Sequence, residues 1–195
     1  MGYSIDPIST NCYPGTTVLI NKLDIRDEET LREAETLVTF INASKLEQHP
    51  LEGAFDFGHY KAIHHFLSSD LYDWAGQVRT VNISKKGTRF TFAENIERQA
   101  ELIFRRLKDC NYFKGLTHDE FVEEIVDFYC ITNALHPFRE GNGRTQRIFF
   151  IQLIRYAGYT IDFSEFNSEN LMIGSIQAAA GVMDNLIEFF SENLK

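Results

Sequence analysis

Disulfide chemistry is the first thing this sequence does without. Cysteine occurs three times in 195 residues, at Cys12, Cys110 and Cys130, an odd and widely spaced set with no C-x-x-C pair. Such spacing suggests neither a disulfide framework nor a zinc site. Long apolar runs are missing as well, and no stretch approaches the roughly 18 residues that a bilayer-spanning helix needs. The opening "MGYSIDPISTNCYPG" is polar, carries an acid and lacks the charged-then-apolar pattern of a secretory signal, so a reducing cytoplasm is the expected compartment. Basic charge is also short. Nineteen Lys and Arg stand against 28 Asp and Glu, a formal net charge of −9 with a pI near 5.1. General nucleic-acid or anionic-membrane binding needs a basic footprint, and this composition argues against it. A local basic pocket for one small polyanion stays open. Internal repeats and low-complexity linkers are absent.

What is present is a 44% hydrophobic share with 13% aromatics, enough to bury a core without staples. The length reads as a single domain over 1–195, beginning with an irregular arm over 1–25. "DEETLREAETLVTFINASKL" places Leu31, Ala34, Val38 and Ile41 on one helical face, with acids in the first turn where the helix dipole favours them. "FDFGHYKAIHHFLSSDLYDWAG" repeats the helical period through Phe57, Tyr60, His64, Leu67, Leu71 and Trp74, stopping near Gly76. The period then changes. "VRTVNISKKGTRFTF" is rich in Val, Ile, Thr and Phe around "KKG", which predicts a β-hairpin over 78–92 with its turn near Lys85–Gly87.

Helix returns with Ile96, Ala100, Ile103 and Leu107. The next helix is opened by a Thr117–Glu120 capping box and runs through Phe121, Ile125, Tyr129 and Thr132 to Leu135. Pro137 disfavours helical geometry at His136 and ends it. A new helix starts within "GNGRTQR", continues through the apolar "IFFIQLIRYA" and stops at Gly158. Apolar residues on nearly every side make this the expected buried central helix. A last amphipathic segment, about 168–194, runs through Met172, Ile176, Met183, Ile187 and Phe190. The expected fold is all-α with one small hairpin.

The corner "HPFREGNGRTQR", residues 136–147, carries the chemistry. A helix N-terminus has unpaired amides and a partial positive charge, which suits phosphate. Gly141 and Gly143 can turn the backbone through positive φ and let its amides close on an anion as a nest. Asn142 between them can donate its side-chain amide to a phosphate oxygen. Arg144 and Arg147, one turn apart, suit a polyphosphate better than a single phosphate. A carboxylate at Glu140 beside such a cradle calls for a bridging hard cation, and Mg²⁺ is the usual one. His136 is placed to take a proton from an incoming hydroxyl. Phe138 reads as an apolar anchor. Together these groups describe phosphoryl or nucleotidyl transfer. The competing reading is an ordinary helix–helix corner with surface arginines.

The stretch resembles the signature of the Fic family, H-P-F-x-[D/E]-G-N-G-R-x-x-R, with His136, Pro137, Phe138, Glu140, Gly141, Asn142, Gly143, Arg144 and Arg147 all in place. "YPGTTVLINKL", "LYDWAGQVRTV" and "QRIFFIQLIRYAGY" extend the resemblance toward the small bacterial cell-filamentation (FicT-like) branch. It implies a Fic fold, a compact helical bundle around a buried central helix with a hairpin flap, and Mg²⁺-dependent transfer of AMP from ATP to a protein hydroxyl. His136 would be the general base, and Glu140, the longer of the two acids found there, would bind Mg²⁺. Gly141, Asn142 and Gly143 would hold the α- and β-phosphates, and Arg144 and Arg147 the β- and γ-phosphates. Lys85, Lys86, Gly87, Thr88 and Phe90 of the flap would align a target segment by strand addition. A surface hairpin with solubilising lysines is the other reading of that element.

No glutamate here has the [S/T]-x-x-x-E-[G/N] pattern of the family's inhibitory helix. The branch resemblance therefore implies a toxin whose inhibitory helix comes from a small antitoxin, with type II topoisomerases such as DNA gyrase or topoisomerase IV as targets. The alternatives are transfer of another phosphate-containing group, removal of AMP, or a nucleotide- or partner-binding module without turnover, for which the base at His136 would be superfluous. A helical DNA-binding protein is disfavoured by the charge. His59, His64 and His65 suggest a metal cluster, but His64 lies on the apolar stripe of its helix, and packed histidines are the better expectation. Trp74 reads as core, and "QAAAG" at 177–181 as a packing face.

Overall fold

Local rules start and stop most of the helices in this chain. The computed structural model describes residues 4–5, 11–85, 88–163 and 168–195. Asp27 opens α1 (Glu28–Gln48) by accepting the Thr30 N–H at 2.8 Å, the usual N-cap bond. Asp56 does the same for α2 (Phe57–Ser68), taking the His59 N–H at 2.8 Å. A short 3₁₀ turn at Ala93–Asn95 leads into α3 (Ile96–Asp109). In α4 (His118–Leu135), the Glu120 carboxylate accepts both the backbone N–H and the hydroxyl of Thr117, at 2.9 and 2.8 Å. Gly158, at φ 103°, ends α5 (Asn142–Ala157), a conformation glycine adopts without steric cost. Phe149, Phe150, Leu153 and Ile154 are fully buried, so α5 is the central helix that its composition predicts. Among the described residues, no helix is long and apolar enough to cross a membrane.

Three expectations are corrected. On α1 the buried stripe is Leu31, Glu35, Thr39, Asn42 and Leu46, while Leu37, Phe40 and Ile41 are exposed. Specific bonds decide this face: Tyr72 Oη–H donates to Glu35 at 2.5 Å and Asn42 Nδ2–H to Asp70 at 3.0 Å. Burying a bonded polar group costs little, so hydropathy alone misplaces the face. Second, α2 ends at Ser68, and Leu71 and Trp74 lie in the turns beyond it. The N-terminal arm holds this segment, because Lys22 N–H donates to Leu71 and its Nζ to Ser69, both at 2.8 Å. Leu71 and Tyr72 pack there with Val18, Leu19 and Leu31. Third, the segment from 168 is two helices, α6 (Ser168–Ala179) and α7 (Asp184–Asn193). The end of "QAAAG" is the break, Ala180 and Gly181 following the last residue of α6, with Gly181 at φ 87°.

The hairpin is present but shorter than 78–92. Strands β2 (Ile83–Lys85) and β3 (Thr88–Arg89) pair antiparallel with Lys85 opposite Thr88. Lys86 and Gly87 lie outside the described residues. The arm also contributes more than irregular chain: β1 (Ser4–Ile5) pairs antiparallel with β2, giving the order β1-β2-β3. The residues on either side of β2 and β3 leave the ladder and bind the end of α4 instead. Arg79 N–H donates to the Pro137 carbonyl at 2.9 Å and Thr91 N–H to that of Ala134 at 3.0 Å.

Candidate active site

Pro137 disfavours αR at the residue before it and so ends α4. Instead of the extended backbone that usually precedes proline, His136 takes the left-handed conformation, φ 42° and ψ 61°, at the C-terminus of α4, which is uncommon for a residue other than glycine. Its Nδ1 lies 3.1 Å from the Asn133 carbonyl. A carbonyl only accepts, so the proton sits on Nδ1 and the lone pair on Nε2. The ring of Phe90 stacks on the imidazole, centroids 3.7 Å apart and 12° from parallel. His136 is buried, and burial pushes its pKa down to about 3, helped by the charges of Arg79 and Lys85 against a raising bond from Asn133. It is therefore a neutral base at physiological pH.

Phe138 is the anchor that the sequence suggests. Fully buried, it stacks on His64 at 3.8 Å and on Tyr60 at 5.7 Å. Asn142 braces it from the other side: Oδ1 accepts the Phe138 N–H and Nδ2–H donates to the Phe138 carbonyl, both at 2.8 Å. The Asn142 amide expected to reach a phosphate is thus engaged in closing the loop, a role its spacing alone does not reveal. His64 supports Glu140 in a similar way. Gly76 N–H donates into His64 Nδ1 at 2.8 Å, so Nε2–H donates to the Glu140 carbonyl at 3.0 Å. Burial pushes the His64 pKa down to about 4, which keeps that tautomer. His65 likewise serves the backbone, with Nδ1 2.9 Å from the Ala75 carbonyl.

The two motif glycines differ. Gly141 sits at φ 79°, and a Cβ there would meet His64 Nε2 at 3.3 Å. Gly143, by contrast, is helical and exposed in the first turn of α5, so the positive φ expected of it is not found. A Cβ at Gly143 would touch only Arg147 Nη1, at 3.7 Å, which places that guanidinium over the first turn. Arg144 Nη1 lies 3.9 Å from Glu35 Oε2. No side chain caps α5, so its N-terminal amides lie open in the turn that carries both arginines. Burial lowers the pKa of Arg147, with Arg144 adding to it against Tyr129; a bound anion would relieve both effects.

Glu140 is half-buried, and its Oε1 accepts the Gly141 N–H at 2.9 Å. A single hard carboxylate beside an anion cradle fits Mg²⁺ held jointly with substrate phosphates, and Glu140 is the residue that would hold it. Among the flap residues, Lys85 ends β2, Thr88 opens β3 and Phe90 lies on His136. Sequence reasoning passed over Glu35, Tyr72 and Arg79. The only signals were an acid four residues after Leu31 on a buried stripe and an arginine inside a Val-rich stretch.

A model of the Fic/DOC family matches residues 54–154, just over half of the chain. The chain belongs to the Fic/DOC family. A Fic relative from Salmonella typhimurium, named a probable protein adenylyltransferase, is 37% identical over 92% of this chain and 89% of its own. The protein adenylyltransferase VbhT of Bartonella schoenbuchensis is 37% identical over 93% of this chain, which spans 38% of that longer protein. Solved Fic structures agree in fold. The BepC protein of Bartonella tribocorum with bound AMPPNP superposes at TM-score 0.88 with 28% identity, over 95% of this chain and 96% of that one. A Fic domain from Bartonella quintana with bound ADP gives 0.89 and 28%, over 95% and 94%.

Proposed function

We propose that this Fic enzyme transfers AMP from ATP to a hydroxyl side chain of a target protein and releases pyrophosphate. One juxtaposition carries the reading: a single short loop begins at a neutral, Nδ1-protonated imidazole and ends at an uncapped helix N-terminus whose first turns carry two arginines. His136 Nε2 takes the proton of a Ser, Thr or Tyr hydroxyl as its oxygen attacks the α-phosphorus. The bond from that phosphorus to the bridging oxygen breaks, and pyrophosphate departs with the electron pair. The Asn142 and Gly143 amides hold the α- and β-phosphates, joined by that of Gly141 once Glu140 turns from it to the metal, and Arg144 and Arg147 hold the charge on the leaving group. Mg²⁺ on Glu140 would neutralise phosphate charge.

β3 is an edge strand of the three-stranded sheet, so a target segment adds along Thr88–Arg89, within reach of the base under Phe90. The family resemblance carries the biological reading, a toxin acting on a type II topoisomerase and silenced by an antitoxin helix. Incubation of bacterial lysate with Mg²⁺ and ATP labelled at the α-phosphate tests the chemistry. Label on protein that disappears with His136→Ala is expected. Label arriving from the γ-phosphate, or none that depends on His136, would overturn it. Purified gyrase and topoisomerase IV subunits as acceptors test the target.

A further inference from the structure

Arg79 lies outside the motif yet touches both the base and the flap. It is 4% exposed. Its guanidinium donates from Nε to the His136 carbonyl at 2.9 Å, from Nη1 to the Val81 carbonyl at 2.7 Å and from Nη2 to the Thr91 carbonyl at 2.5 Å. Val81 leads into β2 and Thr91 follows β3, so two of these acceptors are the two legs of the hairpin. The third belongs to the residue whose left-handed backbone ends α4, a carbonyl with no helical donor of its own. A guanidinium is flat and its donors diverge at fixed angles. Binding all these oxygens at once fixes them relative to one another.

Phe90, next to Thr91, lies flat on the imidazole, so a shift at the flap root reaches the ring through that contact as well. We propose that Arg79 is a positioning residue for the transfer: it locks the two legs of the flap, at Val81 and Thr91, to His136, so that a hydroxyl aligned along β3 meets Nε2. The proposal rests on His136 being the base. A merely structural role would lower stability without touching the ring or separating catalytic from binding constants.

Arg79→Lys separates the two, because an ammonium keeps the charge but cannot span three diverging carbonyls. Labelling of lysate protein from α-labelled ATP should fall about 10–100-fold in kcat, the scale of a small misalignment. The KM for ATP should stay within about twofold, because the first turn of α5 is untouched. Imidazole nitrogen NMR should show one Nδ1–H tautomer in the wild-type chain and a mixture in Arg79→Lys.

Phe90→Leu provides a second route that leaves the buried guanidinium in place, and it should loosen the same tautomer even if Arg79→Lys fails to fold. An unchanged tautomer in both folded variants, with activity falling only as the folded fraction falls, would overturn the proposal. If Arg79→Lys does not fold, an unchanged tautomer in Phe90→Leu overturns it. A wild-type chain that labels nothing would defeat the reading of His136 as the base, while the tautomer lock would remain readable on its own.

Discussion

At the α4 end of the catalytic loop, His136 is buried, stacked on Phe90 and held through Nδ1 and its main chain. At the α5 end Gly143 is exposed, the helix is uncapped, and Arg144 meets Glu35 only at 3.9 Å. The contrast suits the two tasks that the proposed transfer would give these ends. Proton transfer needs one tautomer in one place, and a dry, cross-linked surrounding supplies it. Phosphate binding needs donors and cations that are not committed elsewhere, so that end stays open.

Breaking the closed end gives the largest effect. Removing the imidazole in His136→Ala should lower transfer by roughly 10²–10⁴-fold, the usual contribution of a general base, with ATP binding preserved when measured by calorimetry. Acid attacks the same end. His136 and His64 are held neutral in the fold, so the unfolded chain binds protons first as pH drops below about 6.5. Stability is complete above that pH and falls toward the folded values near 3 and 4. One unit below 6.5, the two histidines together cost about 3 kcal/mol, readable by urea unfolding at pH 7.5 and 5.5; His136→Ala should remove about half of that share, while His59, also lowered by burial, keeps its own contribution. Glu35, whose pKa is raised by burial and by Glu140, works in the opposite sense, and its cost is relieved as pH falls through its raised folded value.

The hinge between the ends is next. Asn142→Ala removes both bonds to Phe138 and should cost about 2–3 kcal/mol in the same assay. The glycines sharpen the contrast at smaller scale. Gly141→Ala meets a left-handed backbone and the His64 ring, and should lose about 1–2 kcal/mol. Gly143→Ala should gain up to about 1 kcal/mol in stability, because its backbone is helical, while its methyl at the open nest raises the KM for ATP. Loss of stability in Gly143→Ala would contradict the difference between the ends.

Much of this was legible because it is local. Pro137 stopping α4, Thr117 and Glu120 capping it, Gly158 closing α5 and the Lys85–Thr88 pairing all depend on residues within a few positions of each other. The buried face of α1, the early end of α2 and the role of Arg79 were not legible. Their deciding bonds span 37 residues from Glu35 to Tyr72 and 28 from Asn42 to Asp70 for α1, 47 from Lys22 to Ser69 for α2, and 57 from Arg79 to His136. Hydrophobic periodicity carries no record of such partners. The candidate site shows the reverse proportion: its motif residues stand out in the sequence, but how Asn142 and Gly143 sit within it depends on backbone geometry.

The left-handed backbone at His136 also bears on how this chain evolves. That conformation costs stability at any pH and the buried imidazole costs it in acid, and the proposed transfer gives a reason for retaining both. A chain with His136→Gly would keep the turn without strain and lose the acid-sensitive group. The same change would give up the Phe90 stack and the Asn133 bond, so strain at this turn is balanced by local packing as well as by the proposed transfer.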